Sequence, residues 1–213
     1  ISKNQIHNYQ KVLIPSRITQ ICPYAFYRHF DLEDVEFEEK SKLKLIEKYA
    51  FSTARIEEII IPANVYYIGE YAFSNCRHLK KVDFENDSKL MFFEKKLFFN
   101  SSIETLSIPS NVVEFSDEWC VNTPKLNDII VSPNNHNFIY FENNFLINYN
   151  SKSNSFQYLL FSRRDIQIAI IPSFIKGISP FAFNECKNLK EVIFQKDSKL
   201  QIIDKKAFIY SSL

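Results

Sequence analysis

The chain has 213 residues, of which 46% are hydrophobic, so it can bury a sizeable core in one domain or two. The composition is skewed, with 21 phenylalanines and only two glycines. Two glycines are too few for the glycine-rich turns on which dinucleotide-binding and P-loop enzymes depend, so these classes are excluded. A net charge of +1 and the lack of any apolar run of about 18 residues argue against nucleic-acid binding and against membrane insertion.

Short β-like runs recur along the chain with a regular spacing. Their last apolar residues are Ile14, Phe37, Ile61, Phe84, Ile108, Val131, Ile171 and Phe194. The steps between them are 23, 24, 23, 24, 23, 40 and 23 residues. Runs such as residues 79–84 have the order apolar-x-x-apolar-x-apolar, and a period of about 20–29 residues with this order is typical of leucine-rich repeats. We therefore expect residues 1–213 to form one α/β solenoid of about eight repeats, right-handed and mostly strand and turn.

Each repeat has three buried parts in chain order. In the first strand, Val82 and Phe84 are expected to face inward and Lys81 and Asp83 outward, because side chains alternate along a strand. A second apolar pair follows, and an Ala-Phe pair or a variant closes the repeat, at residues 25–26, 50–51, 72–73, 97–98, 119–120, 182–183 and 207–208. No repeat can bury these parts alone, so the repeats are expected to stack with a parallel sheet along the concave side.

One repeat carries an insertion, because its step is 40 residues rather than 24. Residues 132–164 contain three β-rich aromatic runs, at 138–141, 145–149 and 156–161, separated by asparagine-rich turns. This pattern predicts a β-meander. Two roles stay open for it: it lies on a binding face, or it packs against its own repeat.

The order Ile-Pro-x-x-Val-x-x-Ile-Gly-x-x-Ala-Phe-x-x-Cys-x-x-Leu is intact at residues 61–79 and resembles the BspA-like leucine-rich repeat of surface antigens. The repeat at 171–189 is similar, although Gly177 precedes Ile178, and the repeat at 108 departs further, with Trp119-Cys120 in place of Ala-Phe. The resemblance implies a cell-surface or secreted protein that adheres to host extracellular-matrix or cell-surface proteins or to other microbes. Because Leu213 has the spacing of a further strand, we expect the chain to be part of a longer array.

Catalytic and metal chemistry find little support in the sequence. Cys76 and Cys186 occupy the same repeat position, too far apart along the stack for a disulfide or a zinc site. The histidines lack metal-ligand spacing, and no nucleophile motif is present, so we expect no enzyme, no metal and no cofactor. Glycosylation sequons at Asn86 and Asn100 give weak support for a surface location.

The candidate binding site is the solvent side of the predicted sheet, where charged and apolar residues mix, as is usual on protein-binding surfaces. The residues assigned to it are Asp34, Glu36, Glu58, Ile60, Lys81, Asp83, Thr105, Ser107, Asp128 and Ile130. The predicted function is non-enzymatic recognition of protein or glycan by a surface adhesin. The alternatives are a structural spacer and an intracellular scaffold.

Overall fold

The computed structural model describes residues 10–150 and 155–213, which form a solenoid of strands and turns without a helix. In chain order the first eleven strands are β1 (Gln10–Ile14), β2 (Gln20–Ile21), β3 (Leu32–Phe37), β4 (Leu45–Ile46), β5 (Glu58–Ile61), β6 (Tyr67–Ile68), β7 (Lys81–Phe84), β8 (Phe92–Phe93), β9 (Thr105–Ile108), β10 (Glu114–Phe115) and β11 (Asp128–Val131). They are followed by β12 (Phe138–Phe141), β13 (Phe145–Asn150), β14 (Ser155–Ser162), β15 (Ile168–Ile171), β16 (Gly177–Ile178), β17 (Glu191–Phe194) and β18 (Ile202–Ile203). The predicted solenoid with a β-meander insertion is confirmed.

The longer strands form the main sheet. Six of them pair in parallel in the order β1-β3-β5-β7-β9-β11, and β15 and β17 form a separate parallel pair. All eight end at the residues expected from the repeat spacing. Proline follows β1, β5, β9 and β15 directly; it has no N–H to donate, so the ladder stops where the chain must turn.

Two-residue strands form a second row behind the main sheet. They pair in parallel as β2-β4-β6, as β8-β10 and as β16-β18, and the eight-residue β14 of the insertion pairs with β16. Each strand of the first two groups, apart from β10, turns a fully or almost fully buried residue toward the core, namely Ile21, Ile46, Ile68 and Phe93. The core therefore lies between two rows of strands, and the repeats with β2, β4, β6 and β8 contribute to it in the same way.

The phenylalanines of the Ala-Phe pairs stack in a column along the solenoid. The ring centroids of Phe26 and Phe51 are 5.1 Å apart, and those of Phe51 and Phe73 are 5.4 Å apart, with nearly parallel planes. Phe73 and Phe98 continue the column at 6.0 Å. The excess of phenylalanine thus has a structural cause, because one ring per repeat occupies an equivalent position.

The insertion is built into the solenoid. Strands β12, β13 and β14 form the predicted antiparallel meander, and β14 then pairs in parallel with β16 of the next repeat. Along β13, Phe145 and Ile147 join the C-terminal core while Leu146 joins the N-terminal core. These residues therefore support the second of the two roles left open for the insertion, in which it packs against its own repeat.

A buried arginine joins the two cores at the end of the insertion. Arg164 is 2% exposed, and its Nη1 donates hydrogen bonds to the carbonyl oxygens of Ala182 (3.0 Å) and Ser162 (3.3 Å). Its Nη2 lies 3.4 Å from Cys120 Sγ, and the guanidinium carbon lies 4.3 Å from the centroid of the Phe161 ring. The guanidinium group thus connects the N-terminal repeats to the C-terminal ones, a role that its sequence position did not indicate.

Candidate functional site

The ten residues predicted for the binding surface lie on five adjacent strands, β3 to β11, with side chains on the solvent side of the main sheet. In one row the register brings together Asp34, Glu58, Lys81, Thr105 and Asp128. In the second row Ile60 neighbours Asp83 and Ser107 neighbours Ile130, with Glu36 on β3. We call the solvent side of these strands, together with that of β1, β15 and β17, the outer face.

Alternation along the strands explains the placement. On β5, Ile59 and Ile61 are buried, whereas the side chain of Ile60 between them is 59% exposed. On β11, Ile129 is buried and Ile130 is 53% exposed. Burying one of two neighbouring β-branched residues therefore leaves the other in solvent, and the outer face gains apolar side chains that no neighbouring repeat covers.

Lysines partly neutralise the acidic residues of the outer face. Lys11 on β1 lies 3.0 Å from Asp34 and also donates a hydrogen bond to Glu36. The hydrogen bonds from Lys11 to Glu36 and to Asp34 raise the pKa of Lys11 above its usual value. Lys81 pairs with Asp83 at 3.2 Å. These pairs are solvent-exposed and orient the side chains more than they stabilise the fold.

Asp83 is held in its charged form. Burial would raise the pKa of Asp83, but hydrogen bonds from the Ser107 hydroxyl, the Phe84 amide and Lys81 outweigh it, so the pKa lies below its ordinary value. A lowered carboxyl pKa stabilises the folded state above the ordinary value of 3.8, and this contribution is lost as the pH falls below it. The outer face therefore keeps this negative charge across the physiological range.

The N-terminal half of the outer face contains an acidic groove of about 390 Å³. Asp34, Glu36, Glu58 and Glu85 line it around the exposed Ile60. Lys11 pairs with Asp34 and Glu36, whereas Glu58 makes no ion pair within residues 10–150 and 155–213. A basic side chain next to an aliphatic one would match this arrangement in charge and polarity.

Glu85 belongs to this groove although it was not among the predicted residues. Its carboxylate accepts a hydrogen bond from the amide of Ala63 in the preceding repeat, at 2.8 Å. Glu38 and Gln195 follow their strands at the same position and accept equivalent bonds from Ser16 and Ser173. An alignment of the repeats at the residue after the strand would have revealed this feature.

The C-terminal half of the outer face is mainly apolar. Ile168, Ile170 and Ile193 on β15 and β17 are each at least two-fifths exposed. Strand β15 does not pair with β11. Instead, the Tyr140 hydroxyl donates a 2.6 Å hydrogen bond to the carbonyl of Asn127, the residue before β11. In earlier repeats a backbone amide of the next repeat donates to the equivalent carbonyl, as the amide of Glu104 does to the carbonyl of Lys80. The outer face is thus divided in two.

None of the four cysteines forms a disulfide, and the described residues contain no group of side chains suited to holding a metal ion. They also contain no helix able to cross a membrane. Cys76 and Cys186 are fully buried at their shared repeat position, as expected.

Thiol reactivity is expected to separate Cys22 from the other three cysteines. Burial raises the pKa of Cys76 to about 12 and that of Cys120 to about 11, and it also raises the pKa of Cys186. Because the thiolate is the reactive form, an aromatic disulfide reagent at pH 8 should titrate one thiol rapidly in the native protein and four in urea. The exposed Cys22 should account for the rapid one, so Cys22→Ser should remove it. A second rapid thiol in the native protein would contradict the buried positions.

The chain matches the sequence profile described as BspA type leucine rich repeat region, in six copies, over residues 3–127 and 115–213. No curated protein matches the sequence significantly. The solved structure of the pneumococcal vaccine antigen PcpA is similar, with a TM-score of 0.80 and 27% identity, over 91% of this chain and 46% of that chain.

Two further solved structures show the same fold. A leucine-rich repeat protein from Eubacterium ventriosum has a TM-score of 0.75 and 24% identity, over 93% of this chain and 50% of that chain. A leucine rich cell surface protein from Faecalibacterium prausnitzii has a TM-score of 0.65 and 18% identity, over 92% of this chain and 60% of that chain. The chain thus spans about half the length of the first two structures. The profile covers nearly every residue and the repeats have the geometry it describes, so the chain belongs to the BspA-type leucine-rich repeat family.

Proposed function

We propose that this chain is a non-enzymatic recognition module of a cell-surface adhesin and that it binds its partner through the outer face. The proposal rests on the contiguous band of solvent-facing side chains on β3 to β11. In this band acidic side chains such as Glu58 lie beside exposed isoleucines such as Ile60. Mixed surfaces of this kind exclude water around apolar anchors while charges set the specificity. Host extracellular-matrix or cell-surface proteins, and other microbial surfaces, are the proposed partners.

A surface location is part of the proposal. Support comes from the relatives, since PcpA is described as a vaccine antigen and the Faecalibacterium protein as a cell surface protein. Repeat arrays recognise partners by extended complementarity rather than by chemistry at one point. The absence of enzymatic activity is proposed on the same ground.

The rival function is architectural: a spacer that presents other domains, or a scaffold inside the cell. Four unpaired cysteines favour the intracellular version, because thiols persist in a reducing compartment. A leader peptide in the full-length gene product would argue against it.

Neutralising the acidic groove tests the proposed surface. The triple variant Asp34→Asn, Glu36→Gln and Glu58→Gln should weaken binding to immobilised collagen, laminin or fibronectin, or to host-cell monolayers, by about tenfold or more. Its melting temperature should change little, because exposed carboxylates contribute within about 0.5 kcal/mol to stability.

The matched control is a second triple variant, Glu70→Gln, Glu114→Gln and Asp117→Asn, which removes the same charge from exposed or half-buried positions outside the main sheet. It should bind like the wild type. Equal losses in both variants would indicate non-specific attraction rather than a site. A wild-type chain that binds no surface in the panel would favour the spacer.

A further inference from the structure

A second groove lies on the flank of the solenoid, in the turns that lead from the Ala-Phe pair to the next main-sheet strand. Its volume is about 590 Å³, and it crosses the first three repeats. Its main lining residues are Phe30, Thr53, Arg55, Asn75, Arg77 and His78. We call it the flank groove. It shares no residue with the outer face, so it is independent of the function proposed above.

The flank groove is lined by the guanidinium groups of Arg55 and Arg77 and by the imidazole of His78, and by no carboxylate. Arg55 is fixed by Glu33, whose carboxylate oxygen lies 2.9 Å from its Nε. Arg77 is exposed and makes no salt bridge within the described ranges 10–150 and 155–213. Its planar guanidinium is therefore available to bind a carboxylate through two parallel hydrogen bonds.

An amide and an aromatic ring complete the groove. The Asn75 side-chain oxygen accepts a 2.7 Å hydrogen bond from Asn100, so the NH₂ group of Asn75 remains to donate to a ligand. Phe30 occupies the repeat position held by Arg55 and Arg77 in the next two repeats, and it is 63% exposed. An exposed ring of this kind offers a flat apolar surface next to the cationic groups.

Two backbone amides that line the groove already have hydrogen-bond partners. The amide of Thr53 donates to the carbonyl of Ser74, and the amide of Asn75 donates to that of Phe99, at 2.8 Å each. An extended peptide recognised by strand addition would need such groups free. The side chains offer a guanidinium group that can bind a carboxylate, an amide that can donate a hydrogen bond and an exposed aromatic ring.

We propose that the flank groove binds an acidic saccharide that carries a carboxylate. The carboxylate would lie on Arg77, a ring hydroxyl would accept from Asn75, and the C–H face of the sugar would lie on Phe30. The partner class is thus a sialic-acid-bearing or uronic-acid-bearing glycan.

Titration calorimetry on the whole chain with 3′-sialyllactose, a hyaluronan tetrasaccharide and neutral lactose tests this proposal. At least one of the two acidic sugars should bind saturably, with a dissociation constant on the order of 1 mM or below, and lactose should not. Arg77→Ala should weaken that binding about tenfold or more and Phe30→Ala about fivefold, with unchanged melting temperatures because both residues are exposed.

The matched control is Lys187→Ala. Lys187 follows Cys186 just as Arg77 follows Cys76, but it lies in a distant repeat. Its replacement should leave sugar binding unchanged. The proposal would be overturned if neither carboxylate sugar binds, if Lys187→Ala weakens binding as much as Arg77→Ala, or if only a heparin hexasaccharide binds and does so with a steep salt dependence. An acidic peptide that displaces the sugar at lower concentration would assign the groove to a protein partner instead and would also overturn it.

Discussion

Replacing Phe73 with alanine is expected to lower the free energy of unfolding by about 3–5 kcal/mol. The ring is fully buried and stacks between Phe51 at 5.4 Å and Phe98 at 6.0 Å. Truncation removes its transfer free energy and both stacking contacts, and it leaves a cavity that rigid strands on either side cannot close. Because each repeat is stabilised by its neighbours, the loss falls on two inter-repeat interfaces at once.

Urea unfolding followed by tyrosine and tryptophan fluorescence measures this loss. Phe26→Ala is the matched control, since Phe26 is half-buried and stacks on Phe51 alone among the column's rings. We expect Phe26→Ala to lower the free energy of unfolding by roughly half as much as Phe73→Ala does. Equal costs for the two variants would contradict the idea that the column stabilises the solenoid through paired contacts.

The repeat spacing was sufficient to predict most of the fold. Most repeats bury the same positions, so one regular pattern fixes strand ends, the second apolar pair and the stacked rings together. The ends of β1 and β17 were therefore as predictable as those in the middle of the chain. The outer-face residues followed as well, because strand alternation assigns one side to solvent once the other side is known to be core.

Contacts made once in the chain were not predictable. Tyr140 donates a hydrogen bond to Asn127 beside β11, and Arg164 connects the two cores through Cys120 and Ala182. Each depends on how the insertion folds back onto its own repeats, and no second repeat contains the same pair. The flank groove was not predictable for a related reason. Phe30, Arg77 and His78 come together through the stacking of turns and not through any local motif.

The scarcity of glycine has an unexpected counterpart in the turns. Non-glycine residues adopt the left-handed conformation at nineteen described positions, where glycine would be less strained. At the position before the Ala-Phe pair these residues include Tyr24, Tyr49 and Tyr71, whose rings stack 5.1 Å and 4.8 Å apart. Stacking between repeats offsets part of the backbone strain, and glycine could not supply it. Neither glycine of the chain has a positive φ.

Close approach is therefore the reason for glycine at position 69. A Cβ there would lie 2.6 Å from the backbone nitrogen of Lys48 and 3.0 Å from the carbonyl carbon of Glu47, in the preceding repeat. Backbone atoms cannot rotate away as a side chain does, so the two repeats must separate locally. We expect Gly69→Ala to cost about 1–3 kcal/mol of unfolding free energy, more than the gain from a less flexible unfolded chain.

Gly177 provides the matched test, because a Cβ there meets the ring of Tyr158 at 2.3 Å instead of backbone. Gly177→Ala should also destabilise the protein, and adding Tyr158→Ala should cancel the clash, so that the double variant is no less stable than Tyr158→Ala alone. For Gly69 the clash is with the backbone of Lys48, so Lys48→Ala should rescue nothing. A Gly69→Ala variant as stable as the wild type in urea would show that the repeats can separate there at no cost. Glycine would then be required at position 69 neither for φ nor for space.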